Sequence, residues 1–267
     1  MRPGRLLTET HIMLSQIYID RRTPSHRCRE TALLPPIDPA PLRIHRDHQI
    51  QASNGSGFEV RWHVGGPWPA QAPAAIGALR GFHHATLEPS ATWPMHIQED
   101  LHGVTYVVAG ALERADNQGN RGVLTAGGVQ RRWLGWGTED EEWNPSPFAP
   151  TEFIQLWLQT AQPDPTFLAQ PRHYTLYDRS DRWLQIAGTN GASRNASVHV
   201  ARLNSSTRCM QYRFKPGRGG YFYVIEGDVQ VNDEHMERRD AARVTGAGLV
   251  NIEPSQPTEL LIVDVRI

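Results

Sequence analysis

Two short segments hold the side chains of this chain best suited to chemistry. The first runs Trp93-Pro94-Met95-His96-Ile97-Gln98 and continues to His102. His96 and Gln98 stand two residues apart, so on a strand they point to one face. The second contains Trp136, then Asp140-Glu141-Glu142-Trp143, and Asp140 and Glu142 share a face for the same reason. Same-face pairs of this kind can grip a metal. They can also work without one. If Asp140 and Glu142 face an apolar mouth, desolvation and mutual repulsion raise at least one carboxyl pKa. A carboxyl kept neutral near pH 7 serves as a general acid, with its partner or His96 as base. Trp93, Trp133, Trp136 and Trp143 flank both segments and offer an apolar wall to a planar or hydrophobic molecule. His83 and His84 are neighbours, so at most one of them faces the same way as the pocket.

The elements that must position these residues read as short strands. Residues 78–87, 105–112 and 153–159 are strand candidates, and residues 116–120 (DNQGN) form a hairpin turn. Gly 23 and Pro 20 against only 5 Met favour turns over long helices. The chain also repeats itself. Residues 106–112 (YVVAGAL) match 223–229 (YVIEGDV), 124–129 match 244–249, and 153–159 match 259–265, in one order and at nearly constant offset. Two copies of one β-domain follow. The expected class is all-β, two tandem barrels. A small barrel is filled at one end and open at the other, and ligands enter the open mouth. The segments just before residues 105 and 153 are placed to face it.

The expected spans are an arm over 1–57, a first barrel carrying the site over 58–165, and a structural second barrel over 166–267. The arm is either partly ordered or a start assigned too early, ahead of Met13. Lys+Arg 27 against Asp+Glu 28 excludes a strongly basic nucleic-acid binder. No apolar run reaches membrane-spanning length. Cys28 and Cys209 lie far apart and outside any CxxC, so no disulfide framework is expected and a reducing, cytoplasmic setting is. A monomer or dimer is expected, with a small-molecule substrate and neither nucleic acid nor membrane as partner.

The order TYVVAG (105–110), DNQGN, a Gly-rich turn ending in Gln130, G-W-G (135–137), an acidic stretch, W-N-P (143–145) and QLW (155–157) resembles the pirin family, bicupins of the cupin superfamily. The likeness covers 58–267 and is most specific over 92–160. It implies two jelly-roll barrels packed together, with one iron or other divalent metal in the first. In the family that metal is held by H-P-H and, on a later strand, H-x-E. Here the first His is His96, the second is replaced by Gln98, the third by Asp140, and the Glu is kept as Glu142. Ile97 replaces the proline, and His102 stands where the family has an acidic residue. The resulting set is oxygen-rich and suits Mn, Mg or weakly held Fe better than softer ions. Two lost ligands favour acid/base chemistry of cyclase or isomerase type on a small aromatic or polycyclic molecule. His96, Asp140 and Glu142 would be catalytic, with Gln98, His102 and the four tryptophans around the substrate. The alternatives are a metal-dependent quercetin 2,3-dioxygenase-like oxygenase, with His96, Gln98, Asp140 and Glu142 holding Fe, Mn or a similar ion, and a non-catalytic regulator that binds other proteins. No ligand pair appears before Tyr223, so the second barrel is expected to be structural.

Overall fold

The computed structural model describes residues 37–65, 74–93, 101–117, 119–134, 140–159, 171–188 and 195–267. They form two all-β barrels, each a large sheet facing a small one. The first barrel uses β2 (Gln51–Gly55), β3 (Phe58–Val64), β4 (Leu79–Leu87), β5 (Thr92–Trp93), β6 (Leu101–Ala109), β7 (Ala111–Asp116), β8 (Arg121–Thr125), β9 (Gly128–Leu134), β10 (Asp140–Trp143), β11 (Thr151–Gln159) and β12 (Arg172–His173). Its large sheet has the order β12-β9-β6-β11-β4-β3-β2 and its small sheet β5-β10-β7-β8. The second uses β13 (Leu184–Gly188), β14 (Ala196–Leu203), β15 (Met210–Phe214), β16 (Arg218–Glu226), β17 (Asp228–Val231), β18 (Glu234–Glu237), β19 (Ala241–Val244), β20 (Gly248–Pro254) and β21 (Thr258–Arg266). With β1 (Leu42–His45), its large sheet runs β1-β19-β16-β21-β14-β13 and its small sheet β15-β20-β17-β18. No helix among the described residues is long and apolar enough to cross a membrane.

The segments outside the two barrel repeats are recruited to sheet edges, where unpaired backbone N–H and C=O groups need partners. β1 pairs with β19 of the second barrel, and β2, a few residues later, pairs with β3 of the first. Between them Arg46 pairs with Asp240 at 2.9 Å and Asp47 with Arg61 at 2.6 Å, so one short segment ties both barrels. β12 pairs with β9 of the first barrel. Helix α1 (Leu176–Arg179) follows it, opened by a capping box between Thr175 and Asp178. Cys209, just ahead of β15, is disulfide-bonded, where the sequence reading expects no disulfide.

The two large sheets pack face to face, and strand alternation sorts their residues into three apolar layers. On β16, Tyr221, Tyr223 and Ile225 enter the layer between the barrels, whereas Phe222 and Val224 enter the core of the second barrel. On β6, Val104 and Tyr106 enter the shared layer and Val107 the core of the first. Both faces are buried, hence the near-continuous apolar runs of β11 and β21. Each fully buried Leu, Val or Phe contributes about 1.5–3 kcal/mol.

The repeat is physical. Val107 faces Phe153 and Val224 faces Leu260, with a register shift beside each pair. Gly110 and Gly227 follow at φ 76° and 97°. A Cβ at either would stand 2.7 Å from a backbone carbonyl, of Pro150 or of Pro257, so only glycine fits the bend. Tyr106 donates its hydroxyl to Glu259 of the other barrel, and Arg179 of α1 stands 3.2 Å from that carboxylate. In return Tyr223 reaches back to His84, whose Nε2 lies 3.0 Å from Glu152. Each tyrosine thus crosses the interface toward the carboxylate beside the other barrel's bulge.

Candidate functional site

Inside the first barrel, one row of side chains runs across the large sheet. Trp62, His83, Gln155, Thr105 and Gln130 are successive cross-strand partners on β3, β4, β11, β6 and β9, and all share one face. His83 points inward and is wholly buried. Trp93 stacks on it at 5.2 Å, and Trp157 and Trp62 lie at 4.8 and 5.1 Å. His84 points the other way, into the layer between the barrels, as alternation requires.

Glu142 enters the same interior from the small sheet. It sits on β10 opposite Trp93 of β5 and Arg114 of β7. It is only 4% exposed. One carboxylate oxygen accepts from the Gln155 side-chain amide at 2.7 Å, and the other lies 3.3 Å from the Arg132 guanidinium. Gln155 also donates to the Thr105 hydroxyl at 3.3 Å. A carboxylate from one sheet is therefore held by an amide and a guanidinium from the other. Both donors fix its orientation. Arg114 pairs with Asp116 at 2.9 Å farther along β7.

The expected site residues divide among three places. Glu142 and Trp93 are inside the barrel. His102 is buried but shares its face with Val104 and Tyr106, which enter the layer between the barrels, and its ring meets Trp133 edge-on at 4.9 Å. His102 and Trp133 are cross-strand partners on the face opposite Thr105 and Gln155. Trp143 alternates with Glu142 and so faces outward, where the Arg121 guanidinium lies 5.4 Å from its ring centre. Asp140 opens β10 opposite Asp116, and its side chain is not described. His96, Gln98 and Trp136 lie outside the described residues. The physical reason for the split is strand phase. Alternation tells which residues share a face, and only the packing tells which face is inside.

Sequence reasoning passed over Gln155, Arg132 and Thr105. Gln155 had a signal: it is the lone polar residue in the run from Phe153 to Leu158 on β11. Arg132 alternates with Gln130 on β9, a polar inward pair of the same sort.

Residues 77–158 match the family model described as Pirin, and residues 188–265 match that described as quercetinase C-terminal cupin domain. The chain is 28% identical over 198 residues to a pirin-like protein of Caulobacter vibrioides, covering 70% of this chain and 83% of that one. It is 30% identical over 193 residues to a putative quercetin 2,3-dioxygenase of Mycobacterium tuberculosis, covering 66% of this chain and 75% of that one. Its fold is similar to the crystal structure of YhhW from Escherichia coli, with a TM-score of 0.71, 18% identity, and 84% and 97% of the two chains covered. The same bacterial pirin in complex with nickel(II) gives a TM-score of 0.67 at 17% identity, over 84% and 99%.

Proposed function

Given that this chain belongs to the pirin family of bicupins, we propose that its first barrel is a small-molecule site where Glu142 carries the proton in acid/base chemistry on an aromatic or polycyclic substrate. The observation that carries this reading is the Glu142 carboxylate, buried in the barrel and held by Gln155 and Arg132. A carboxylate oriented in this way inside the barrel is placed to act as a general base. Arg132 stands next to it, placed to stabilise negative charge developing on the substrate as the proton leaves. His96 takes the complementary acid role, with Asp140 beside Glu142 on β10. Packing against aromatic walls favours a planar molecule.

The described part of the site does not suit a divalent cation. Both Glu142 oxygens face N–H groups, and a cation on that carboxylate would sit against a guanidinium. Among the described residues, no three His, Cys, Asp or Glu side chains converge as metal ligands. No step is therefore routed through a metal. The names of the relatives, putative quercetin 2,3-dioxygenases, support a second reading as a metal-dependent oxygenase on a flavonol.

Turnover of quercetin and a panel of other polycyclic phenols, measured with and without chelator, separates the readings. Glu142→Gln keeps the shape and removes the base. We expect it to lower turnover about 10²–10⁴-fold, with the wild type insensitive to chelator. Loss of activity with chelator returns the site to a metal, and full activity of Glu142→Gln removes Glu142 from the chemistry. Absence of any turnover across the panel leaves the non-catalytic regulator.

A further inference from the structure

We propose that the second barrel carries a binding site of its own, at the end where β14 begins and β21 finishes, for a small planar molecule with a hydroxyl or N–H donor, of the phenol type. Four strands and the segment ahead of β13 build it. Tyr212 of β15 crosses from the small sheet and donates its hydroxyl to Asp264 of β21 at 2.8 Å. Arg218 of β16 holds the other oxygen of Asp264 at 2.5 Å and the Asp264 backbone carbonyl at 2.9 Å. His199 of β14 places Nδ1 3.5 Å from the Tyr212 oxygen, and Trp183 meets the Tyr212 ring edge-on at 5.5 Å. Trp183, His199, Tyr212 and Arg218 are half-buried, whereas Phe214, Phe222 and Val250 below them are fully buried. The polar cluster therefore caps an apolar interior.

The hydrogen-bond order sets what this end offers. Tyr212 has one proton and gives it to Asp264, so its oxygen can only accept from His199. That puts the imidazole proton on Nδ1. It leaves Nε2, which has no protein partner among the described residues, as an acceptor. Burial, with Arg218 adding and Asp264 opposing, holds His199 down to about 4, so the ring is neutral near pH 7. Burial and then the Asp264 charge push the Tyr212 phenol well above its ordinary range, which keeps its hydroxyl protonated. A neutral acceptor beside two aromatic rings recognises an uncharged aromatic donor.

The first barrel shows what sets this end apart. His83 and His199 occupy the same register position, facing Gln155 on β11 and Ile262 on β21. Over His83 lies Trp157, which faces Gly81 and Gly103. The corresponding residue of the second barrel, facing Ser197 and Gly220, is Asp264. An indole in one barrel is replaced by a carboxylate in the other, so that side of His199 carries the polar groups Asp264, Tyr212 and Arg218 in place of an aromatic wall.

The test is a titration of the full-length protein with phenol, followed by NMR at the His199 ring Cε1–H. We expect a saturable shift. Tyr212→Phe keeps the ring and removes the hydroxyl that orients His199, and in the folded variant, which loses some stability with the bond to Asp264, it should weaken phenol about fivefold to tenfold. The shift should persist in Glu142→Gln, which separates this site from the first barrel. An unmoved His199 resonance in the wild type, equal affinity in Tyr212→Phe, or loss of the shift in Glu142→Gln each overturns the proposal. The wild-type titration needs no variant, so a failure of Tyr212→Phe to fold leaves the proposal open to refutation.

Discussion

The two barrels share strand order, bulge positions and glycine bends, and both tie their sheets together with one carboxylate. They do so in opposite senses. In the first barrel the carboxylate, Glu142, comes from the small sheet and is held by Gln155 and Arg132 of the large one. In the second, Asp264 belongs to the large sheet and accepts from Tyr212 of the small one. The first barrel encloses its inward histidine in tryptophan, while the second leaves its counterpart half-buried. A duplicated framework thus conserves backbone geometry, which every strand needs, and varies the few inward side chains, which only the interior chemistry needs.

The sharpest way to break this comparison is to empty the equivalent positions. Trp157→Ala removes the wall of the His83 box and should cost about 3–5 kcal/mol. Asp264→Ala leaves Tyr212 and Arg218 without their acceptor but near solvent, and should cost about 1–3 kcal/mol. Denaturant midpoints decide it. Equal losses would mean that the two ends are packed alike.

Acid should act next. Burial holds His63 and His84 below the ordinary imidazole range; the other charged groups around His63, His84 among them, add to the depression, and the hydrogen bond to Glu152 partly offsets it for His84. His199 lies at about 4. Groups with depressed imidazole pKa values take protons more readily in the unfolded chain. Their contribution is present above pH 6.5 and is lost as pH falls toward 4, at about 1.4 kcal/mol per unit of difference. Glu152 is held at about 2, with burial opposing and His84, Arg238 and Arg239 prevailing. Its contribution persists above 4.5 and disappears between 4.5 and 2. His199→Asn should flatten only the second barrel's share of the upper limb. An unfolding midpoint that stays level from pH 7 to 4 would show that these imidazoles are not buried neutral.

The smallest difference sits between the barrels. Tyr106 donates to a carboxylate, while Tyr223 meets an imidazole. Tyr106→Phe should therefore cost about 1.5–3 kcal/mol and Tyr223→Phe about 0.5–1.5 kcal/mol. The reverse order in urea unfolding would place the charged acceptor on the other side of the interface.

The sequence by itself determined what depends on near neighbours along the chain. Alternation, the glycine bends at Gly110 and Gly227 and the order of the repeated landmarks all follow from local backbone geometry, and they sufficed for two barrels of one family. Alternation also separated His83 from His84 before any packing was known. It could not supply phase, so His102, Trp133 and Trp143 read as mouth residues although the structure turns them to other faces. Nor could it pair groups across sheets. Glu142 meets Gln155, and Tyr212 meets Asp264, 52 residues away, because a barrel closes and brings opposite walls within hydrogen-bond reach. Closure is a property of the whole sheet, set by which faces exclude water, and only the tertiary structure decides which polar side chains meet inside.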